Sequence, residues 1–472
     1  MLFSISLCLT LFIAASGTSP AEVERNHNFR VDFTKVSNEL RSPRPLGFST
    51  DHVLCGDLSV AAARSVNAGV LRYPEGERGD LYLWNAEAPD HPKLSVGGAD
   101  KSWTTGTKAT GDSNKMLSFD RFLNICEQAD AVPLVILGID AVIYTGNEPH
   151  ANKAEVLQAA KDWVAYARSK GYDGVGPHRI YWEIGNESYD KSITGAPAWK
   201  PAEYAAFFNE MVAGLKTVDP RVQCGANGVW WSKWWETVIP TVENQAAFYI
   251  THVYSKQTNQ AAWSADEKPY ETLIPPLLHQ LELHPNAARR IFFSELSSYH
   301  PNFPNNDATW RVLHNLEVFS ECLAQPYAEY AVFWTAFWGE KNPDTSTKSL
   351  FFPNYTLTQQ GEGFQLLGRN LESIQQPWQS DGPVRCYSSC NAARTRAVVL
   401  LINKSLTPQK CSVNPSGLQR IGRMASLSRL SLTLPEHGKL KCEENIEELN
   451  VEPDKDVQLI LQPLSATWLR WK

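Results

Sequence analysis

The 472-residue sequence lacks the patterns of several common protein classes. It contains no CxxC or HxxxH pair that would predict a metal site, and no GxGxxG loop of the kind that binds a dinucleotide. No internal repeat, coiled coil or low-complexity tract is present. Basic residues are in deficit, with 44 Lys and Arg against 51 Asp and Glu, and neutralising phosphates requires a basic face. We therefore expect no metal, no organic cofactor and no nucleic-acid partner.

Long apolar runs are equally scarce. One run, at residues 2–15 (LFSISLCLTLFIAA), precedes the small-x-small pattern Ala15-Ser16-Gly17, which predicts a secretion signal over residues 1–17 and a secreted protein. A membrane anchor is the alternative interpretation, but the run is shorter than the roughly 20 apolar residues that cross a bilayer. No later segment is long and apolar enough to span one. After cleavage of the signal we expect no membrane association.

Cysteine usage fits a secreted protein. Loss of Cys8 with the signal leaves eight of the nine cysteines, and an even number permits disulfides. Four of them cluster near the C-terminus and predict disulfide staples of a small domain, with three pairings possible: Cys386, Cys390, Cys411 and Cys442. The other four are widely spaced and are interpreted as buried thiols: Cys55, Cys126, Cys224 and Cys322.

Three N-x-S/T sequons occur in the chain, at Asn186, Asn354 and Asn403. In a secreted protein such sequons accept glycans on surface loops. We predict glycans at Asn354 and Asn403, whereas Asn186 belongs to a candidate site described below and is predicted to be unglycosylated.

Strand-like apolar runs alternate with amphipathic segments from residue 45 to residue 375. The strongest helix patterns cover residues 115–130, 153–171 and 201–220, with apolar positions three or four apart. An eightfold strand–helix alternation predicts a (β/α)8 TIM barrel, with an open doubly wound sheet as the alternative. The eight predicted strands lie at 46–50, 68–74, 132–139, 179–186, 222–228, 246–255, 289–296 and 329–337.

The pattern changes after Pro377 and the Gly382-Pro383 pair. Residues 376–472 contain short strand-like runs separated by turn residues, which predicts a C-terminal all-β sandwich domain. The segment 18–44 contains one more strand pattern, FRVDFTK at 29–35, which we expect to join that sandwich.

Two glutamates end apolar strands of the predicted barrel. The motifs are Trp182-Glu183-Ile184-Gly185-Asn186-Glu187 and Phe292-Phe293-Ser294-Glu295. By strand count they follow strands four and seven, so Glu187 and Glu295 face each other across the catalytic rim. Two facing carboxylates, one protonated and one ionised, are what retaining glycoside hydrolysis requires. An ordinary rim ion pair is the alternative for either glutamate alone, but the pair favours catalysis. Glu183, deeper in the same strand, is interpreted as structural.

Several motifs together resemble a known family. WEIGNE resembles the strand-four motif of clan-A glycoside hydrolases. LRYPEG (71–76) with GDLYLW (79–84) is similar to the second-strand motif of α-L-arabinofuranosidase-like enzymes, and residues 118–137 are similar to their third unit. His252-Val253-Tyr254 resembles their strand-six motif, and Ser294-Glu295 their nucleophile strand. The motifs follow the family order over residues 45–370, and the resemblance implies the same barrel with a β-sandwich.

The resemblance also implies roles for individual residues. Glu187 corresponds to the acid/base and Glu295 to the nucleophile. Asn186 would bond the sugar hydroxyl next to the anomeric carbon, and Arg72 would hold Glu295 ionised from beneath. The resemblance assigns the remaining two positions to orientation, Tyr254 for Glu295 and His252 for the acid/base side.

Aromatic residues near the rim are candidate sugar platforms. Trp338 follows strand eight, where such barrels often carry an aromatic ring under the sugar, and Trp334 is the alternative. Four tryptophans follow strand five, where stacking on sugar faces and packing of the loop are equally good interpretations: Trp230, Trp231, Trp234 and Trp235. Of these we choose Trp230 as a substrate-binding candidate.

Departures from the family pattern leave the substrate open. Glu75 replaces a glycine in the second-strand motif, and FFSELSS is closer to heparanase-like endo-glucuronidases. The sequence predicts a secreted retaining glycoside hydrolase acting on a polysaccharide or oligosaccharide, most similar to α-L-arabinofuranosidases. The alternatives are an endo- or exo-acting β-glycosidase or glucuronidase, and a carbohydrate-binding barrel without turnover.

Overall fold

The computed structural model describes residues 26–51, 55, 58–77, 79–87, 117–143, 151–191, 196–229, 231–255, 257–266, 274–298, 308–338, 348–419, 425–433, 441–443, 449–451 and 456–471. The predicted signal, residues 1–17, lies outside these ranges, as does Trp230. None of the helices in the described ranges has the length and apolar character needed to cross a bilayer.

A closed parallel barrel forms the larger part of the molecule. The last barrel strand along the chain pairs with the first and closes the sheet, so the predicted barrel is confirmed and the open doubly wound sheet is wrong. Each of the eight predicted strands overlaps one barrel strand, and the observed seventh and eighth strands extend one residue beyond the predicted ranges, at Ser297 and Ala328. Two short strands, β1 (Asn26–Asp32) and β2 (Asn38–Glu39), precede the barrel strands, which are β3 (Leu46–Ser49), β4 (Val70–Tyr73), β5 (Val132–Leu137), β6 (Tyr181–Ile184), β7 (Gln223–Gly228), β8 (Phe248–Tyr254), β9 (Ile291–Ser297) and β10 (Ala328–Phe333).

Helices follow the barrel strands along the chain. The predicted segments 115–130, 153–171 and 201–220 correspond to the second, third and fourth of them. Ser118 and Asn152 cap the first two by accepting a backbone N–H bond, and Pro201 occupies the first turn of the third. The helices are α1 (Val60–Ser65), α2 (Phe119–Ala129), α3 (Lys153–Ser169), α4 (Pro201–Lys216), α5 (Ser232–Val242), α6 (Gln260–Ala265), α7 (Pro275–Leu283), α8 (Ala308–Leu323) and α9 (Gln359–Arg369).

Two further sheets follow the barrel. β1 pairs in parallel with β15, which also pairs with β19, and alternate residues of β1 are buried against the larger sheet. The larger sheet has nine strands, including β2 from the N-terminal segment. The strands after the barrel are β11 (Ile374–Gln375), β12 (Gln379–Asp381), β13 (Val384–Cys390), β14 (Ala397–Asn403), β15 (Gln409–Ser416), β16 (Ala425–Thr433), β17 (Lys441–Glu443), β18 (Leu449–Val451), β19 (Val457–Leu461) and β20 (Ser465–Trp471).

A buried ionic cluster joins the barrel to the larger sheet. Glu317 of α8 lies 2.9 Å from the Lys404 ammonium and 3.3 Å from Nε of Arg385 on β13. His314, one turn earlier on α8, lies 3.0 Å from the same carboxylate. All these side chains are fully buried, so breaking the cluster would leave a charge without compensation. The cluster therefore fixes the sheet against the outside of the barrel.

The predicted disulfide staples are wrong for the described cysteines. Each of the three possible pairings joins two of Cys386, Cys390 and Cys411, and all three are free, buried thiols. Cys386 and Cys390 lie four residues apart on β13, about 13 Å along a strand, which exceeds the roughly 7 Å that a disulfide tolerates. The side chain of Cys442 lies outside the described residues. The prediction of buried thiols at the other four positions is confirmed: Cys55, Cys126, Cys224 and Cys322.

The predicted glycan at Asn403 is also wrong. Asn403 is fully buried at the end of β14, and its amide nitrogen donates to the carbonyls of Thr407 (2.9 Å) and Gln462 (2.8 Å). The nitrogen that would carry the glycan is therefore used inside the fold. Asn354 is exposed, its side-chain oxygen accepts a bond from the Thr356 hydroxyl at 2.7 Å, and the glycan there stays a prediction.

Candidate active site

The barrel interior is filled in layers, and the polar layer lies above an aromatic one. Tyr181, Phe248 and Phe292 pack against each other in the centre of the barrel. Because strand side chains alternate with period two, the next inward residue after Tyr181 on β6 is Glu183. Arg72 of β4 meets Glu183 through two parallel bonds, Nε to Oε2 at 2.8 Å and Nη2 to Oε1 at 2.9 Å. Glu183 is thus the buried counter-ion of Arg72.

Glu295 reaches this layer because β9 is irregular. On β8, Ile250 pairs with Phe292, but His252 pairs with Glu295 instead of Ser294, so the register shifts by one residue. Such a β-bulge re-aims the following side chain. Two consecutive residues therefore face the cleft: the Ser294 hydroxyl lies 2.9 Å from Nε2 of His252, and the Glu295 carboxylate meets Arg72.

The Glu295 carboxylate is held at both oxygens. Arg72 donates Nη1–H to Oε1 at 2.5 Å, and the Tyr254 hydroxyl donates to Oε2 at 2.5 Å. Burial alone would raise the pKa of Glu295, but the charges of His252 and Arg72 and the two hydrogen bonds outweigh it and lower that pKa. Gly76 lies so close that a Cβ there would be 2.3 Å from Oε1, so only glycine fits at this position. Glu295 is therefore a fixed, ionised carboxylate.

Glu187 projects from a loop. β6 ends at Ile184, and Gly185 (φ +70°) and Glu187 (φ +40°) adopt left-handed backbone conformations. Its Oε1 accepts a bond from the Tyr189 hydroxyl at 2.8 Å and lies 2.8 Å from Nδ1 of His252. The side chain of Glu187 is 23% exposed, against 5% for Glu295. The two carboxylates thus differ in accessibility as well as in partners.

The two carboxylates lie close together beside His252. One ligand-capable atom of each of Glu187, His252 and Glu295 lies within 4.8 Å of the others. Two carboxylates and an imidazole are a donor set that some divalent metals use. Here, however, these atoms already bond to each other and to Tyr189 and Tyr254, and the Arg72 cation supplies the positive charge. The arrangement fits charge pairing within the protein better than it fits an added cation.

Asn186 shares the Arg72 guanidinium with Glu295. Its side-chain oxygen accepts from Nη2 of Arg72 at 2.6 Å, and its backbone N–H donates to Oδ1 of Asp80 at 2.6 Å. Its side-chain nitrogen is buried and has no hydrogen-bond partner among the described residues. A buried donor left unsatisfied is costly and usually marks a place where a ligand or water bonds.

Two buried acids, Asp80 and Asp140, lie next to the segment that carries Asn186 and Glu187. Asp80 and Asp140 are almost fully buried, and burial raises the pKa of both, to about 7 for Asp140. The repulsion between the two carboxyls raises the pKa of Asp80 further. Asp140 also accepts the indole N–H of Trp199 at 3.0 Å. Asp80 thus holds the Asn186 backbone, and Asp140 holds the indole of Trp199.

The tryptophans that the sequence offers as sugar platforms differ in their contacts and in their burial. Trp334 packs edge-on against Tyr254 at 6.0 Å, and Trp338 packs against Trp334 at 4.6 Å, one step further from the carboxylates. Trp334 is thus the ring next to the site. Of the tryptophans after strand five, Trp234 and Trp235 are buried in the core, whereas Trp231 is 47% exposed.

All six polar residues that the sequence singles out lie in one network: Arg72, Asn186, Glu187, His252, Tyr254 and Glu295. Sequence reasoning missed Tyr189 and Asp80, which hold Glu187 and the Asn186 backbone. Tyr189 lies two residues after Glu187, and that proximity was the available signal. Asp80 lies within the GDLYLW motif, but nothing in the motif indicates which residue turns inward.

Solved structures share this fold. An α-L-arabinofuranosidase from Thermotoga maritima, solved with arabinose, has a TM-score of 0.66 at 16% identity, covering 94% of this chain and 99% of that one. A family 44 xyloglucanase from Paenibacillus polymyxa has a TM-score of 0.66 at 13% identity over 95% and 99%. A family 30 endoxylanase from Clostridium papyrosolvens C71 has a TM-score of 0.61 at 12% identity over 94% and 99%. No protein-family model and no curated protein sequence matches the chain.

Likeness at these identities concerns the fold. It confirms the predicted barrel with its sandwich and the predicted resemblance in architecture to clan-A glycoside hydrolases of the arabinofuranosidase type. The likeness extends over nearly the whole chain. Function has to be argued from the site itself.

Proposed function

We propose that the protein is a secreted retaining glycoside hydrolase that cleaves O-glycosidic bonds of polysaccharides or oligosaccharides. The separation of the carboxylates carries the proposal. Oxygens of Glu187 and Glu295 lie within 4.8 Å of each other. Retaining enzymes hold the two carboxyl groups about 5–5.5 Å apart, and inverting enzymes about 6.5–9.5 Å apart, to admit a water molecule. The apolar run at residues 2–15 supports secretion.

The two carboxylates divide the work by environment. Glu295, ionised beside Arg72, attacks the anomeric carbon while the bond to the leaving oxygen breaks and Glu187 gives that oxygen its proton. A glycosyl ester of Glu295 forms. Water then attacks the anomeric carbon, Glu187 takes the water's proton, and the ester bond breaks to restore the Glu295 carboxylate.

Asn186 and His252 complete the site. The unpartnered amide nitrogen of Asn186 is available to a hydroxyl of the sugar next to the anomeric carbon, and this bond would strengthen as positive charge develops there. His252 lies between Glu187 and Ser294 and fixes the direction of the Glu187 carboxylate. Arg72 binds the Asn186 oxygen, so the amide nitrogen is turned away from the barrel floor.

The substrate class is proposed from the architecture and the site together. Similar structures include arabinofuranosidases, which supports an arabinofuranosyl glycoside. Others are a xyloglucanase and an endoxylanase, so a β-linked backbone polysaccharide is the second candidate. A carbohydrate-binding barrel without turnover is disfavoured, because Arg72 and Tyr254 both bond to Glu295 and the two glutamates lie within 4.8 Å of each other.

Product stereochemistry tests the mechanism. A panel of 4-nitrophenyl glycosides and of plant and animal polysaccharides should contain at least one substrate. The first product seen by proton NMR, before mutarotation, should have the anomeric configuration of the substrate, because two displacements restore it. An inverted product would contradict the retaining scheme, and no turnover across the panel would favour the binding barrel.

The bond from the Tyr254 hydroxyl to Glu295 should influence the pH at which kcat/KM falls on the acid side of its profile. Tyr254→Phe removes a bond that stabilises ionised Glu295, so the pKa of Glu295 rises. Because the nucleophile must be ionised, kcat/KM falls as pH drops through that pKa, and the acid limb should move to higher pH. At the optimum, kcat/KM should fall by about 10–100-fold.

The matched control for this variant is Tyr166→Phe, which breaks a tyrosine–carboxylate bond with Asp120 (2.8 Å) on the outer surface. The control should leave both rate and pH profile unchanged. An unshifted acid limb in the Tyr254→Phe variant would remove Tyr254 from the nucleophile's environment.

A further inference from the structure

A groove of about 810 Å³ runs beside the Glu187 loop. We call it the Trp231 groove, and the lining residues that matter here are Tyr189, Trp199, Pro201, Trp231 and Lys233. Its volume is within the range of small-molecule sites, and its walls are mainly aromatic and apolar, as in such sites. The groove is distinct from the pocket floor formed by Arg72, Glu183 and Glu295.

The groove adjoins the acid/base through one residue. Tyr189 lines the groove, and its hydroxyl donates to Oε1 of Glu187 at 2.8 Å. In the proposed reaction the leaving oxygen must contact Glu187 to receive its proton. Whatever is attached to that oxygen therefore extends from the Glu187 side of the site, and among the described residues the Trp231 groove lies on that side.

The groove walls are tied to the Glu187 loop. Trp234 donates its indole N–H to the carbonyl of Asn227 at 3.0 Å, and the Asn227 side chain accepts the N–H of Ser188 at 3.1 Å. On the other side of the groove, the backbone N–H of Trp199 donates to the carbonyl of Ser188 at 2.8 Å. Both walls thus keep a fixed position relative to the residue next to Glu187, which is what a substrate-positioning surface needs.

The lining fits a sugar ring. Trp231 is 47% exposed and packs edge-on near Tyr189 at 6.4 Å, so part of its indole is open to the groove. The C–H face of a sugar is apolar and can cover such a ring, while its hydroxyl groups reach water and the exposed Lys233 at the rim.

We infer that the Trp231 groove binds the sugar residue on the leaving-group side of the scissile bond, so that the substrate is a chain of at least two sugars. This inference rests on the proposed hydrolase function. It assigns the groove to a saccharide, in preference to a peptide or a second copy of this chain, because a residue that lines the groove, Tyr189, bonds directly to the acid/base.

Two substrates that differ only in the leaving group test the inference. A glycosyl fluoride places no ring in the groove, whereas an oligosaccharide of the same sugar does. For an arabinosyl substrate the pair is α-L-arabinofuranosyl fluoride and arabinotriose, and for a glucuronyl substrate it is β-D-glucuronyl fluoride and a glucuronyl-terminated tetrasaccharide. Trp231→Ala should lower kcat/KM about tenfold or more on the oligosaccharide and change it by less than about twofold on the fluoride.

The controls separate stacking from general damage. Trp231→Phe keeps an aromatic face and should restore most of the rate on the oligosaccharide. Leu283→Ala removes another exposed apolar side chain, at the end of α7, and should affect neither substrate. Equal losses on both substrates, or no loss on the oligosaccharide, would overturn the inference and leave the hydrolase function intact. If the panel of glycosides and polysaccharides identifies another sugar, the fluoride and an oligosaccharide of that sugar form the pair, and failure of the unaltered protein to cleave any member of the panel would overturn both the inference and the hydrolase function.

Transfer to sugar acceptors gives a second readout. With the fluoride as donor, an added arabinobiose or glucuronyl disaccharide acceptor competes with water for the glycosyl ester, and it must bind in the groove to do so. Trp231→Ala should shift the products at least about tenfold from transfer toward hydrolysis. An unchanged ratio of transfer to hydrolysis would contradict the inference.

Discussion

Glu295→Gln is expected to reduce kcat by at least about 10⁴-fold, because an amide cannot attack the anomeric carbon and the glycosyl ester cannot form. The replacement has nearly the same shape. Arg72 keeps its two bonds to Glu183, so its buried charge stays paired and the barrel should still fold. The rate is measured on whichever aryl glycoside the unaltered protein cleaves.

A covalent label gives this prediction a readout independent of rate. A 2-deoxy-2-fluoro glycoside of the same sugar should add one glycosyl mass to the unaltered protein and none to the variant, since the ester forms on Glu295. The matched control is Glu321→Gln, at a buried glutamate on α8 far from the site. Burial raises the pKa of Glu321 to about 8, so this carboxyl is mostly protonated at neutral pH and glutamine imitates it. Labelling of the Glu295→Gln protein would contradict the assignment.

The barrel could be predicted because it follows from local patterns. Each strand carries an apolar run that two-sided burial requires, and each predicted helix has apolar positions at helical spacing. These patterns also placed Glu187 and Glu295 at the ends of the fourth and seventh barrel strands, where parallel strands bring their ends together. The spacing of the motifs therefore predicted that both carboxylates lie at the carboxyl ends of barrel strands, on the same rim.

The directions of the two side chains could not be predicted. With regular alternation, Phe292 and Ser294 would face inward and Glu295 outward, and only the register shift of β9 turns Glu295 into the cleft. Glu183 and Glu187 lie four residues apart, which on one regular strand would give their side chains the same direction. However, β6 ends at Ile184, and the left-handed residues Gly185 and Glu187 set the direction of the Glu187 side chain. Bulges and loop conformations depend on contacts with neighbouring strands, which the local pattern does not contain.

Tryptophan roles depended on tertiary packing in the same way. Trp84 stacks on Trp163 at 5.3 Å in the shell between the barrel and its helices, and Trp235 is fully buried, so these rings stabilise the fold. Trp231 lies in the same sequence cluster as Trp235 and is half exposed. Position after strands five and eight predicted candidate aromatic platforms, but burial separates the rings that can meet a sugar from those in the core.

Glu187→Ala is expected to act differently on the two halves of the reaction. On glycosides with a poor leaving group, kcat/KM should fall about 10²–10⁴-fold, because the departing oxygen receives no proton. A 2,4-dinitrophenyl glycoside needs no such proton, so the ester on Glu295 should form readily and then accumulate, since no base activates water. The burst of dinitrophenolate measures its formation.

Azide should restore turnover of this variant. The anion needs no general base, and the space left by the Glu187 side chain adjoins the anomeric carbon held on Glu295. The product should be the glycosyl azide with the configuration of the substrate, because azide attacks the face opposite the Glu295 ester, which is the face that the first leaving group occupied. The matched control is Glu203→Ala, the same substitution at an exposed glutamate of α4 whose ion-pair partner is Lys200. It should show neither the loss of rate nor the effect of azide. An azide product with the inverted configuration would contradict the assignment. Glu187 would then be the nucleophile and Glu295, the residue paired with Arg72, would be the acid/base.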